Sequence, residues 1–411
     1  MFENKLKKYA ELLVKIGVNL KKNQILVIRS PIECADFTRM VTEIAYREGA
    51  REVVVSWGDE KLDKIKYTMA PDEIFDEFPE WQKCFYVDYA MQDAAFLTIS
   101  ASDPEIMKAV DTERLMRAQR VRGNALTTYR ERTMNNINSW CVASVPTLAW
   151  AKKVFPNVSE HIAIENLWAA IFNAVRVDSE DPVAAWELHK SALKKNTDYL
   201  NRMNFKTLKY KNSMGTDLTI ELPEHHIWFG GSDLTKEGHE FIANMPTEEI
   251  FTAPKRNGVH GKVVSSKPLN LDGNLIDEFE LVFKEGRIVD FSAKVGYEAL
   301  SNLINVDEGA HYLGEVALVS YDSPISNSNI LFYNTLFDEN ASCHLAIGKA
   351  YPVCIKDGDE MSSEDLIKNG INDSLVHEDF MVGTSDLNIV GITQEGEEIL
   401  IFKEGNFAIP S

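Results

Sequence analysis

A rhythm in the N-terminal part of the chain narrows the fold most. Three short apolar runs stand there: Gln24-Ile25-Leu26-Val27-Ile28-Arg29, Glu52-Val53-Val54-Val55-Ser56-Trp57 and Ala94-Ala95-Phe96-Leu97-Thr98-Ile99-Ser100. Runs this short and this continuous suit strands buried on both faces. Between them the spacing changes. Leu6, Tyr9, Leu12, Leu13 and Ile16 form one stripe, which predicts a helix from Lys5 to Gly17. A second helix is expected from Ala35 to Glu48, stopped by Gly49. Strand, helix, strand in that order calls for a parallel pair with a right-handed crossover, and so for an α/β layered domain.

A further strand is expected over Ser139 to Val145, and helices from Pro146 to Val154, Ile162 to Val175 and Pro182 to Leu200. Trp168 and Trp186 read as core. From Leu208 the texture changes. Segments shorten and alternate, as in Leu218-Thr219-Ile220-Glu221-Leu222, and turn signals such as Met214-Gly215-Thr216-Asp217 become frequent. Phe279 to Phe283 and Ile288 to Phe291 flank the turn Lys284-Glu285-Gly286-Arg287 and read as a hairpin. One helix is expected from Tyr297 to Ile304. A chain of 411 residues exceeds one compact core. The expected division is an α/β and helical region over 1–205 with parallel strands, then an α+β, largely antiparallel β-rich domain over 206–411.

The formal net charge of −20 disfavours nucleic acid and anionic membrane as partners, because both need clustered Lys and Arg. Met1-Phe2-Glu3-Asn4-Lys5-Leu6-Lys7 lacks the apolar core of a signal peptide. The cysteines, Cys34, Cys84, Cys141, Cys343 and Cys354, are scattered with no CxxC pair. Reduced thiols in a cytoplasmic protein is the expectation. Ser30-Pro31-Ile32-Glu33 stands where a dinucleotide-binding domain would carry its glycine-rich loop, so nucleotide binding of that kind is not expected. Trp57-Gly58-Asp59 reads as a turn that can touch a ligand.

The chemistry concentrates further on. Between Leu336 and Gly391, apolar residues and glycines separate Glu339, His344, Tyr351, His377 and Asp379. Imidazoles and carboxylates are the ligand chemistry of a Zn²⁺-like or Co²⁺-like ion. His377 and Asp379 are two apart, and in a strand that spacing puts both on one face. Two more glutamate stretches precede them, Thr247-Glu248-Glu249-Ile250-Phe251 and Leu313-Gly314-Glu315-Val316-Ala317-Leu318-Val319. Glu248 and Glu249 alternate to opposite faces, so one of the two points into a site. A carboxylate ahead of an apolar run is costly unless it is paired or ligates a metal. Cys343 reads as a small apolar filler beside His344.

These stretches resemble the thermophilic-type metalloaminopeptidases, the aminopeptidase T and aminopeptidase S family. In the first half the likeness rests on Asp93-Ala94-Ala95-Phe96-Leu97 and Val145-Pro146-Thr147. In the second it rests on Met245-Pro246-Thr247-Glu248-Glu249-Ile250-Phe251-Thr252, Leu313-Gly314-Glu315-Val316-Ala317, Phe337-Asp338-Glu339-Asn340-Ala341, His344 with Tyr351, and His377-Glu378-Asp379-Phe380-Met381-Val382-Gly383. The resemblance implies an exopeptidase with two divalent metal ions per chain, Zn, Co or Mg. It implies Glu249, Glu315, Glu339, His344, His377 and Asp379 as ligands, with Glu315 bridging, and Tyr351 as a polar group beside the reacting carbonyl. It also implies a homodimer and peptide substrates with a free N-terminus. Such ions lower the pKa of a shared water and polarise the scissile carbonyl. Glu248 or Glu339 then remains to carry a proton. Two other functions fit the same ligands: hydrolysis of another amide bond, and a non-catalytic protein with a structural ion site.

Overall fold

The computed structural model describes residues 2–108, 110–271 and 274–409. The buried apolar runs become β1 (Ile25–Pro31), β2 (Glu52–Gly58), β3 (Ala95–Ser100) and β4 (Trp140–Ser144). They pair in parallel in the order β4-β3-β1-β2; the parallel β1–β2 pair among them is the one the strand-helix alternation predicts. Helix α1 (Phe2–Leu12) precedes them, and the helices between them include α2 (Ala35–Arg47), α3 (Glu60–Met69), α4 (Glu80–Met91) and α5 (Thr112–Ala125). The expected Lys5–Gly17 helix is α1 followed by a π-turn over Leu13–Gly17. There Gly17 lies so close to β4 that a Cβ would stand 3.0 Å from the Cys141 sulfur. Tyr9 fixes the same helix to the sheet: its hydroxyl donates to the Ser144 carbonyl at 3.1 Å.

The chain divides into two compact units, Met1–Leu188 with Ser232–Pro246, and His189–Gly231 with Thr247–Ser411. The segment Ser232–Pro246 lies beyond residue 205 yet packs in the first unit. Its strand Asn244–Met245 adds a fifth parallel member beside β4. A two-residue strand has no periodicity to read, so nothing in the sequence announces this return.

The second unit holds two antiparallel systems. In one, His377–Met381, His344–Gly348, Leu313–Val319, Glu249–Thr252 and Phe229–Gly230 lie side by side in that order. The other has nine strands among the described residues and includes the expected hairpin, Asn274–Lys284 with Arg287–Val295. Helix Tyr297–Ile304 forms where its spacing predicts. One face of the first sheet supplies Ile250, Val316, Leu318, Leu345, Ile347 and Phe380 to a core shared with Leu218, Ile220, Leu281 and Ile389. Each such side chain, fully buried, contributes roughly 1.5–3 kcal/mol. That packing fixes the register, because a slip of one residue would turn the core face outward.

Candidate metal centre

The register determines what the opposite face carries. Residues directly opposed across antiparallel strands share a face, as do residues two apart along one strand. Phe251 opposes Ala317, which opposes His344; Glu315 opposes Ala346, which opposes Asp379; Gly348 opposes His377. Glu249 is two from Phe251. Four adjacent strands therefore present Glu249, Glu315, His344, His377 and Asp379 on one face, with the small residues Ala317, Ala346 and Gly348 between them.

The side chains converge. His344 Nε2 lies 3.2 Å from Glu249, 3.7 Å from Glu315 and 3.9 Å from Asp379. His377 Nε2 lies 3.4 Å from Glu315 and 3.6 Å from Asp379. Two overlapping sets result, Glu249-Glu315-His344 and Glu315-His377-Asp379. In each, the ligand atoms lie within 4.8 Å of one another, a spacing that can hold an ion. Glu315 belongs to both.

The ring orientations suit ligation. His344 Nδ1 is 3.2 Å from the Ser342 carbonyl, and His377 Nδ1 is 2.6 Å from the Lys349 carbonyl. Each carbonyl takes an Nδ1–H, which turns Nε2 toward the cluster, the atom that would ligate an ion. At Gly314 the pairing of Leu313–Val319 with its neighbour shifts register, and Glu315 resumes it. A Cβ at Gly314 would stand 2.3 Å from the Lys349 oxygen and 2.5 Å from the Gly348 oxygen. Only glycine permits that approach, and the Lys349 oxygen is the one that orients His377.

The electrostatics are those of a site rich in negative charge. Burial would raise the Glu315 pKa, but hydrogen bonds from His344 and His377 outweigh it and hold it at about 2. Burial, then the neighbouring Glu249 and Asp379, push Glu339 well above the carboxylate range. Burial raises Asp379 to about 6 against the opposing His377. Burial alone would lower both imidazoles, yet the surrounding carboxylates raise His377 to about 10 and His344 well above its ordinary value. Four carboxylates and two imidazoles, with both Nε2 atoms turned inward, are a donor set whose charge two divalent cations would balance.

Glu339 borders the cluster from the turn Glu339–Ala341, where the Glu249, Asp379 and Glu315 charges act on it, and belongs to neither of the two sets. Tyr351 stands beside it, its ring centroid 5.0 Å from that of His377 and 5.8 Å from that of Phe251. Burial and then the Glu315 and Asp379 carboxylates push its pKa well up, so its hydroxyl keeps its proton. Of the two adjacent glutamates, Glu249 is the one in the cluster. The Glu248 carboxylate lies 3.6 Å from His189 instead. Cys343 is buried outside the donor set, its sulfur 3.3 Å from the Val319 carbonyl, and burial raises its pKa to about 12.

Asn340 was not foreseen. Fully buried, it accepts from the Glu248 backbone N–H at 2.7 Å and donates to the Leu336 carbonyl at 3.0 Å and to Glu339 at 3.4 Å. It thereby ties the start of the Glu249 strand to the turn bearing Glu339. An Asn in a loop reads as a turn residue; its place in the Asp338-Glu339-Asn340 run was the available signal.

A buried imidazole and carboxylate cluster on a β-rich unit is that of a metal-dependent enzyme, and comparison with known proteins narrows the class. The chain belongs to the family described as thermophilic metalloprotease (M29), which it matches over residues 2–407. It is 48% identical over 407 residues to aminopeptidase AmpS of Bacillus subtilis (strain 168), covering 99% of each protein. It is 40% identical over 408 residues to aminopeptidase T of Thermus thermophilus, again with 99% of each covered. The solved structure of wild-type AmpT from Thermus thermophilus is similar over 100% of both chains, with a TM-score of 0.94 at 38% identity.

Proposed function

We propose that this chain is an aminopeptidase that removes the N-terminal residue of peptides with two divalent ions, held by Glu249, Glu315, Glu339, His344, His377 and Asp379. The observation that carries the reading is the double membership of Glu315 in two sets of ligand atoms, each within 4.8 Å. A carboxylate has two oxygens and can serve two ions. When bound, the ions supply a water of lowered pKa and a Lewis acid for the scissile carbonyl. Zinc, cobalt and magnesium are the candidates for this oxygen and nitrogen donor set.

The chain's own groups do the rest. Tyr351 keeps its proton and donates to the oxyanion that develops on the carbonyl. Glu248 or Glu339, whichever carboxylate is not fully committed to metal, would shuttle the proton to the leaving amine. With the ions bound, the free amine of the substrate would be held at the centre, which limits cleavage to the N-terminal residue. Phe251, with Phe229 at 6.1 Å and Tyr351 at 5.8 Å between ring centroids, offers an apolar wall for the first side chain. The active species is a homodimer, and full activity in a monomeric species by light scattering would count against that part. Among the described residues no helix is long and apolar enough to cross a membrane.

The test compares a free dipeptide with its N-acetylated form. The first should be hydrolysed, the second not. Chelation should abolish turnover, and Zn²⁺ or Co²⁺ should restore it. Cleavage of blocked peptides, or internal cuts in a long one, would make the protein an endopeptidase.

A further inference from the structure

The stretch Trp57-Gly58-Asp59, expected as a turn but found as the end of β2 and the cap of α3, leads to a second place in the molecule. It lines a cavity of about 750 Å³ in the first unit, together with Arg29, Arg122, Tyr86 and Trp81. That volume lies within the range of small-molecule sites, roughly 300–1,000 Å³. We propose that this cavity is a binding site for a small aromatic carboxylate, with Arg29 and Arg122 taking the carboxylate and the Trp57 and Trp81 side its apolar body.

Three observations carry this. The first is position. Arg29 lies near the carboxyl end of β1, and Trp57 and Gly58 close the neighbouring β2, so the cavity stands at the carboxyl ends of two adjacent parallel strands. In open parallel sheets ligands bind outside the carboxyl ends of the strands.

The second is the state of the arginines. On α5, Arg114 pairs with Asp72 at 2.7 Å and Arg117 pairs with Asp76. Arg122, further along the same helix and in the cavity lining, faces a like charge instead: burial and then Arg29 hold its pKa below the ordinary guanidinium range. Among the described residues neither Arg29 nor Arg122 has a carboxylate within ion-pair distance. The carboxylates that line the cavity are otherwise placed. Asp59 caps α3 by accepting from the Lys61 and Leu62 backbone N–H groups at 3.0 and 3.1 Å, and Asp63 and Glu77 are exposed. Two adjacent guanidiniums without a counter-ion are matched by a planar, bidentate anion, and a carboxylate has that shape.

The third is the apolar lining. Trp81 is 70% exposed, Leu62 63% and Trp57 44%, and all three border this one cavity. Scattered surface apolar residues are ordinary, but several large ones around one concavity mark a binding surface. Phosphate alone would satisfy the arginines and leave these side chains without a role. An aromatic body joined to a carboxylate uses both halves.

The test is calorimetry on the metal-loaded enzyme with N-acetyl-L-phenylalanine, whose blocked amine makes it no aminopeptidase substrate. Its carboxamide and inorganic phosphate serve as comparisons. We expect one saturable site per chain, with the carboxamide and phosphate at least about tenfold weaker, because a hydrogen bond to a charged group is lost or the apolar half is missing. Arg29→Gln and Arg122→Gln should each weaken binding about tenfold or more, and Trp81→Ala should weaken it too, while dipeptide hydrolysis by Arg29→Gln stays unchanged. Arg29 and Trp81 are exposed, so those variants fold even if Arg122→Gln does not. Binding that survives the Arg29 and Trp81 changes, phosphate as tight as the acetylated amino acid, or no saturable binding would overturn the proposal. So would a dimer that Trp81→Asp splits into monomers, since a second copy would then cover the cavity.

Discussion

Replacing Gly314 by alanine tests whether the metal centre depends on one backbone carbonyl. The added Cβ would stand 2.3 Å from the Lys349 oxygen, closer than the 3.0 Å below which something must shift. Moving that oxygen from 2.3 Å to beyond 3.0 Å requires a displacement of about 0.7 Å, and the Gly348 oxygen at 2.5 Å blocks the neighbouring direction. The displaced oxygen is the acceptor 2.6 Å from His377 Nδ1. Losing that orientation should cost about 10–100-fold in metal affinity, as loss of a metal ligand's hydrogen-bond partner does. A misplacement near 1 Å at the reacting centre carries a penalty of about 100-fold in rate. The assay measures kcat/KM on a free dipeptide across a metal titration, with thermal unfolding of the same samples. We expect metal saturation to move to higher concentration and kcat/KM at saturation to fall by about 10–100-fold, with the fold retained. Wild-type affinity and wild-type kcat/KM in the variant would refute the reasoning.

Two further predictions concern Tyr351 and His226. Tyr351→Phe should lower kcat by about 100-fold without changing metal content, since it removes one donor to the oxyanion and keeps the ring; unaltered turnover would return Tyr351 to a packing role. His226 is buried, with Nδ1 3.0 Å from the Pro223 carbonyl, and burial lowers its pKa against that hydrogen bond. Protonation therefore favours the unfolded chain. Its contribution to stability is complete above the unfolded value of about 6.5 and is lost as pH falls below it. In urea unfolding the stability of wild type relative to His226→Gln should shrink between neutral pH and about pH 5, and parallel profiles would exclude His226 as the cause.

Residues whose environment follows from strand periodicity were legible in the sequence. His377 and Asp379 are two apart in a strand, and that spacing alone puts them on one face. Glu315 declared itself by the cost of a carboxylate in a strand that is buried throughout. The parallel pairing of β1 with β2 followed from the helix between them. Elsewhere the sequence was silent because the determining contact is long-range. Glu248 and Glu249 are equivalent until the pairing of Glu249 with Val319 decides which enters the cluster. Gly314 looks like any strand glycine until Lys349 is placed against it. Asn340 acts through backbone groups on separate elements. Arg29 and Arg122 are far apart in the chain, and nothing in either neighbourhood signals that they meet.

In the proposed centre Glu315 serves two ions in one site. Elemental analysis of Glu315→Gln beside the wild type, after loading with Zn²⁺ or Co²⁺ and removal of excess, tests it most directly when activity and circular dichroism are measured on the same samples. The amide keeps the volume but lacks the charge, and its nitrogen cannot ligate. We expect two ions per chain in the wild type, the loss of at least one in the variant, near-complete loss of dipeptide hydrolysis and an unchanged circular dichroism spectrum. A fully active wild type with a single ion, or a variant that keeps two ions and its activity, would contradict it.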